Sequence, residues 1–123
     1  MKDLGKYTVQ ELLTQFQNAC LAQYDTYITG DTRKYNKLYD FLLAVTRELK
    51  RRGVEERRSL LTLFADKNPQ VRLKAATSVY AVAPTEAKAC LEAIAATGLP
   101  DVSFSAKMTL WRLEEEPHCL DWI

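Results

Sequence analysis

An all-α fold is what this chain of 123 residues predicts. Three observations carry that expectation. Apolar residues recur at three- and four-residue steps over most of the length, each such stretch is bounded by a capping residue, a glycine or a proline, and nowhere do apolar and polar residues alternate as in a strand. The spacing gives about six helices in three antiparallel hairpins, within one domain over residues 1–123.

The first helix opens at a capping box, Thr8 with Glu11, whose side chains satisfy the first orphan amides. Val9, Leu12, Leu13, Phe16, Cys20, Tyr24 and Tyr27 mark its buried face, and Gly30 supplies the left-handed cap that ends it. Asp31 or Thr32 caps a second long helix with Tyr35, Leu38, Tyr39, Leu42, Val45 and Leu49 on one stripe. Lys50, Arg51 and Arg52 favour its C-terminal dipole before Gly53 stops it. Residues 8–53 are therefore a long helical hairpin.

The second half, residues 55–115, runs on a shorter beat and is expected to hold two further helix pairs. Glu55 to about Ala65 is a short helix carrying Leu60, Leu61, Leu63 and Phe64. Asn68-Pro69 caps the next, where proline at the first helical position loses no hydrogen bond. Val71, Ala75, Val79 and Val82 form its stripe, and Pro84 both closes it and opens a fifth helix with Ala87, Cys90, Leu91 and Ile94 inward. After the break at Gly98-Leu99-Pro100-Asp101, a sixth helix bears Val102, Ala106, Leu110 and Leu113 with Trp111 beside them. Glu116-Pro117 ends it, and in the tail 117–123 the apolar Leu120, Trp122 and Ile123 are expected to fold back.

The two shorter pairs repeat. Val71, Leu73, Ala75, Val79, Tyr80 and Val82 align with Val102, Phe104, Ala106, Leu110, Trp111 and Leu113, 31 positions on, a period typical of stacked helix pairs. The run from Asp66 to Ala76, with its Asn-Pro turn, Val71-Arg72 and paired alanines, strongly resembles the turn and second helix of a HEAT repeat. The second copy, Leu99 to Ala106, keeps the turn and the valine but has Ser103 in place of Arg72. That resemblance covers residues 55–115 and implies an α/α superhelix, a short HEAT-like or armadillo-like solenoid. Together with Lys37-Leu38-Tyr39-Asp40 and Met108-Thr109-Leu110-Trp111, the chain resembles an uncharacterised bacterial family of single-domain proteins, a domain of unknown function. The resemblance implies a fold and no activity.

Composition sets further bounds. Apolar residues are 47% and charged residues 27%, ordinary for a folded domain, and the net charge of +1 favours neither nucleic acid nor a membrane surface. No apolar run reaches the ~20 residues that cross a bilayer. The N-terminus lacks the apolar stretch of a signal peptide, and the three cysteines, Cys20, Cys90 and Cys119, are odd in number and far apart. A cytoplasmic protein without disulfides, membrane contact or cofactor is the expectation.

Catalytic signatures are weak. His118 is the lone histidine, and with adjacent Cys119 it cannot close a tetrahedral metal site. Cys90 with His118 could form a nucleophile pair, but Cys90 falls on a core stripe. The glycines sit singly at helix ends, so no phosphate loop is built. No catalytic residue, metal ligand or cofactor is assigned, and the chain is expected not to be an enzyme. Of its acidic runs, Glu55-Glu56 opens a helix favourably, and Glu114-Glu115-Glu116 closes one unfavourably.

Three surfaces stand out. Arg51, Arg52, Arg57 and Arg58 flank the Gly53 turn and can converge on phosphate, although Glu48, Glu55 and Glu56 are near enough to pair with them instead. No aromatic lies between Phe41 and Phe64, which weighs against single-strand stacking there. Tyr24, Tyr27, Tyr35 and Tyr39 crowd the first hairpin, a pattern that suits core packing or an interface. A solenoid presents its successive second helices as a binding face. Arg72, Lys74, Tyr80, Lys107 and Trp111 are the residues expected on it. The function expected is therefore a protein-interaction module whose partner is another protein or a second copy of the chain. Nucleic-acid binding through the basic cluster is the alternative.

Overall fold

Six α-helices form in a computed structural model that describes residues 3–120. After a short 3-10 turn at Leu4–Lys6 come α1 (Val9–Thr29), α2 (Thr32–Arg52), α3 (Val54–Arg58), α4 (Pro69–Val79), α5 (Pro84–Ala96) and α6 (Val102–Glu115). No strand occurs among the described residues. The expected tail residues Trp122 and Ile123 lie outside them, whereas Leu120 is buried against the core.

The caps act as their chemistry dictates. Glu11 N–H donates to Thr8 Oγ1 at 3.1 Å, and Thr8 N–H donates to the Glu11 carboxylate at 2.9 Å. Gly30, at φ 72°, takes the left-handed cap that a Cβ would disfavour. Asp31 is the residue that caps α2, accepting from the Lys34 amide at 3.0 Å. At Asn68 the side-chain oxygen accepts from the amides of both Gln70 and Val71.

Two boundaries differ from expectation. The helix expected over 55–65 is α-helical only as far as Arg58 and continues as a 3-10 segment, Ser59–Ala65. Hydroxyls of Ser59 and Thr62 donate to the carbonyls three residues back, Glu56 and Ser59, which compete with the α-helical ladder. Only Leu60 of its apolar set is fully buried; Leu61, Leu63 and Phe64 are half-buried against the core. Likewise α4 stops at Val79 and passes into a 3-10 turn, Tyr80–Val82. Pro84 forces Ala83 out of the helical region, to φ −151°, so the chain cannot stay α-helical up to the proline.

Packing follows the pairs. α1 lies along α2, α5 along α6, and α4 meets the 3-10 segment on one side and α5 on the other; α1 also rests on α4. One apolar cluster runs through all of them, from Leu12, Phe16 and Cys20 through Val45, Leu49 and Leu60 to Leu91 and Ile94. The α2 stripe is buried only from Leu42 onward: Tyr35 and Leu38 are half-buried and Tyr39 is exposed. Tyr27 stacks edge-on with Tyr24 at 6.0 Å and tilted with Tyr35 at 5.9 Å, so three of the four tyrosines pack together near the Gly30 turn that joins α1 to α2.

The aligned positions of α4 and α6 match at their centre and differ at their edges. Val71 and Val102 are both fully buried, as are Ala75 and Ala106. Leu73, however, is buried while Phe104 is 66% exposed, because no described helix lies beyond α6. The turns differ too. Asn68 caps α4 with its side chain, whereas Asp101 makes no side-chain cap and sits at φ 65°, ψ −63° while Val102 N–H donates to Pro100 O at 2.7 Å. That is the strained γ-turn geometry, and the expected equivalence of the two turns does not hold. Ser103, standing where α4 has Arg72, donates through Oγ to the Ala95 carbonyl of its partner helix.

A buried polar bridge fixes the first pair on α4. Gln70 Nε2 donates to Gln23 Oε1 at 3.0 Å, Tyr27 OH donates to Gln70 Oε1 at 2.9 Å, and Gln23 Nε2 donates to the Tyr35 carbonyl at 3.3 Å. Both glutamines are fully buried. Burial raises the Tyr27 hydroxyl above its ordinary pKa and keeps it a donor. Replacing Gln70 with Leu strands two buried groups and is expected to cost about 1–3 kcal/mol in urea unfolding. Adding Gln23→Leu is expected to recover part of that loss, since the orphaned oxygen goes with it. A double variant that loses the two single effects in full would contradict the bridge.

Candidate functional site

A cleft of about 370 Å³ opens where α2, α4 and α6 come together. α2 contributes Tyr39, α4 contributes Leu73, Lys74 and Thr77, and α6 contributes Phe104, Ser105, Met108, Thr109 and Arg112, with Cys119 and Leu120 at one end. Helical geometry selects them: Leu73 with Thr77, and Phe104 with Met108 and Arg112, are four residues apart and so share a face. The hydroxyls are engaged locally, Thr77 donating to Leu73 O and Thr109 to Ser105 O. What remains on the walls is apolar surface and two cations. No carboxylate is among the described residues that line it.

Lys74 is the centre of this arrangement. Its ammonium lies 5.5 Å from the Tyr35 ring centroid and 5.2 Å from that of Tyr39, two cation–π contacts worth roughly 0.5–1 kcal/mol each at exposed sites. They hold a flexible side chain in place without neutralising it. At the cleft and beside it, α6 exposes large apolar residues among its charged ones: Phe104, Met108 and Trp111 sit at helical spacing and are all exposed, Trp111 by 56%.

Of the residues the sequence marked for a binding face, Lys74 lines the cleft, and Lys107 and Trp111 lie on the exposed side of the same α6. Arg72 and Tyr80 are half-buried on the α4 segment and do not line it. The Nε of Arg72 is enclosed without a hydrogen-bond partner, and its carbonyl accepts from Cys90 Sγ at 3.8 Å. Sequence reasoning named Tyr39 only within the tyrosine cluster that suits core packing or an interface, and it missed Phe104, Met108 and Arg112. The four-residue spacing of the last three was the available signal, hidden because Phe104 aligns with the core residue Leu73.

The basic cluster is separately engaged rather than presented as one patch. Arg51 and Arg52 both bind Glu48, at 2.6 and 2.7 Å, and Arg52 also donates to the carbonyls of Leu4 and Gly5. Arg57 is buried and donates to Ser78 O, while Arg58 donates to Val82 O and reaches Glu86 at 3.4 Å. Glu48 and Glu86 therefore provide the carboxylates, not Glu55 and Glu56. A larger hollow, about 920 Å³, lies between Leu4 and the outer side of α2, but it gathers both signs of charge, Asp3, Asp40 and Glu48 with Arg47 and Arg51.

Chemistry at the thiols is subdued. Burial pushes the Cys20 thiol up to about 12 and raises that of Cys90, which is half-buried rather than in the core as expected. All three cysteines are free. No group of three or more His, Cys, Asp or Glu side chains gathers as a metal-binding set among the described residues, and none of the described helices is long and apolar enough to cross a membrane.

Two measurements check this geometry. Hydrogen bonds from Arg51 and Arg52 hold the Glu48 carboxyl down at about 2, below its ordinary 4.5. A depressed carboxylate stabilises the fold above its unfolded pKa and loses that contribution as pH falls through the folded value. Stability is therefore expected to decline between pH 4.5 and 2, and Glu48→Gln to flatten that decline in denaturant titrations. Iodoacetamide at pH 8 is expected to leave Cys20 unlabelled until the protein is unfolded; prompt labelling of native Cys20 would contradict its burial.

Comparison with known proteins places the chain in a family. No curated protein matches it. The crystal structure of the protein RPA1889 from Rhodopseudomonas palustris CGA009 is similar over 94% of this chain and 96% of that one, with 34% identity and a TM-score of 0.90. The family described as a domain of unknown function, DUF2019, matches residues 10–114, and the protein belongs to it.

Proposed function

We propose that this protein is a non-catalytic protein-interaction module, a short HEAT-like solenoid that binds a partner protein across the face of α2, α4 and α6. In a solenoid of helix pairs these are the second helices, which together make the ridged binding surface. The observation that carries the reading is the unsatisfied character of that face. Phe104, Met108 and Trp111 expose large apolar surface beside a cleft whose described charges are all of one sign. Exposed contiguous apolar patches rimmed by polar groups mark interaction sites, whereas isolated exposed apolar residues do not. A reducing, cytoplasmic setting accords with three free cysteines. The pairing of Arg51, Arg52 and Arg58 with carboxylates of the chain favours this reading over nucleic-acid binding through the basic cluster.

Site-specific photocrosslinking in the native host tests the proposal. A photoreactive residue at Met108 is expected to give a discrete adduct with another protein or with a second copy, while the same residue at Lys88, exposed on α5, gives none. The double substitution Phe104→Ala with Trp111→Ala is expected to abolish the adduct and to change stability by less than about 0.5 kcal/mol, because both side chains are largely in solvent. Equal adducts at Met108 and Lys88 would refute the reading.

A further inference from the structure

Resting on that interaction reading, we infer that the α2–α4–α6 cleft takes a short acidic segment of a partner protein, an apolar side chain entering between Phe104, Met108 and Leu73 and a neighbouring carboxylate meeting Lys74 and Arg112.

Charge complementarity is the first support. The chain carries 16 acidic residues against 17 basic ones, so a surface picked at random holds both signs. The residues described around this cleft include Lys74 and Arg112 and no Asp or Glu, and neither cation takes part in an ion pair recorded among the described residues. Three of the other basic groups, Arg51, Arg52 and Arg58, each contact a carboxylate of this chain. A cation held between two tyrosine rings has already lost much of its side-chain freedom, which lowers the entropic cost of meeting an anion.

The walls restrict the anion's type. At about 370 Å³ the cleft is near the lower end of the roughly 300–1,000 Å³ usual for ligand pockets, room for one anchoring side chain and its neighbour. A bare phosphate would leave Phe104 and Met108 uncovered, and a nucleic-acid backbone needs a run of cations rather than two. Self-association through the cleft is disfavoured on the same grounds. A two-fold contact brings each patch against its own image, so Lys74 and Arg112 of one copy would gather against those of the other. An acidic, apolar-bearing peptide satisfies both the walls and the charges.

The test uses fluorescein-labelled hexapeptides of alternating Glu with Leu or Phe, a counterpart with Gln for every Glu, and the full-length protein. The Glu peptide is expected to bind at least tenfold more tightly than the Gln peptide at low salt, with the gap narrowing as salt screens it. Lys74→Gln and Arg112→Gln should each weaken the Glu peptide about three- to tenfold, Lys88→Gln should not, and amide shifts should centre on Tyr39, Thr77 and Met108. Equal affinity for the two peptides, or shifts centred away from the cleft, would overturn the inference. Failure of both peptides to bind, with the Met108 adduct still formed, overturns the acidic segment alone; loss of that adduct as well overturns the interaction reading too. A dimer in sedimentation that Trp111→Glu dissociates assigns the face to a second copy and likewise overturns it.

Discussion

Gln23 and Gln70 meet side chain to side chain in a mainly apolar interior, and their pairing ties α4 to the first helix pair. Apolar contacts alone allow two helices to slide by a turn at small cost, because one leucine substitutes for another. A buried amide cannot slide: each displaced donor or acceptor costs about 1–3 kcal/mol. With Tyr27 and the Tyr35 carbonyl completing the bridge, α4 is held in one register against both helices of the first pair. That register is what brings Lys74 under the rings of Tyr35 and Tyr39. The cleft is a consequence of the bridge.

Helix existence was legible because each start and stop has a local chemical cause. Thr8 with Glu11, Gly30 and Asn68-Pro69 act through atoms within four residues, and the sequence contains all of them. What was not legible depends on partners distant in the chain. The stretch 59–65 has apolar residues at helical steps, yet its hydroxyls and its place under α4 draw it into 3-10 geometry. Tyr39 sits on the same periodic stripe as Leu42, but it is exposed at the cleft, its ring beside Lys74 of α4. Periodicity reports which face can be buried and says nothing of which positions on it a neighbouring helix covers.

The same limit governed the site. The four arginines at 51, 52, 57 and 58 are close in sequence, which made a shared patch a natural expectation. Their guanidinium groups instead serve four separate places: Glu48 for Arg51 and Arg52, the N-terminal turn for Arg52, the Ser78 carbonyl for Arg57 and the end of the 80–82 turn for Arg58. A guanidinium presents five donors in a fixed fork, so an arginine beside free carbonyls at a helix end is readily used to satisfy them. Here Arg57 and Arg58 serve the frayed end of α4, where the helix gives way before Pro84. Basic residues beside a broken helix are thus as readily structural as functional.

Internal repetition turns this contrast into an argument about α6. Where two copies of a unit share their central contacts, their differences mark where one copy has a neighbour and the other has none. Val71 with Val102 and Ala75 with Ala106 share the buried centre, so the units are comparable. Leu73 is then the reference for Phe104: in α4 the position is enclosed, in α6 an even larger apolar side chain stands 66% exposed. At about 25 cal/mol per Å² of apolar surface, leaving a phenylalanine, a methionine and a tryptophan in water forgoes several kcal/mol that burial would return. A chain that encloses the equivalent leucine while leaving three larger apolar residues around a pair of cations has on α6 the requirements of a contact surface: apolar area to be covered and charge to be matched.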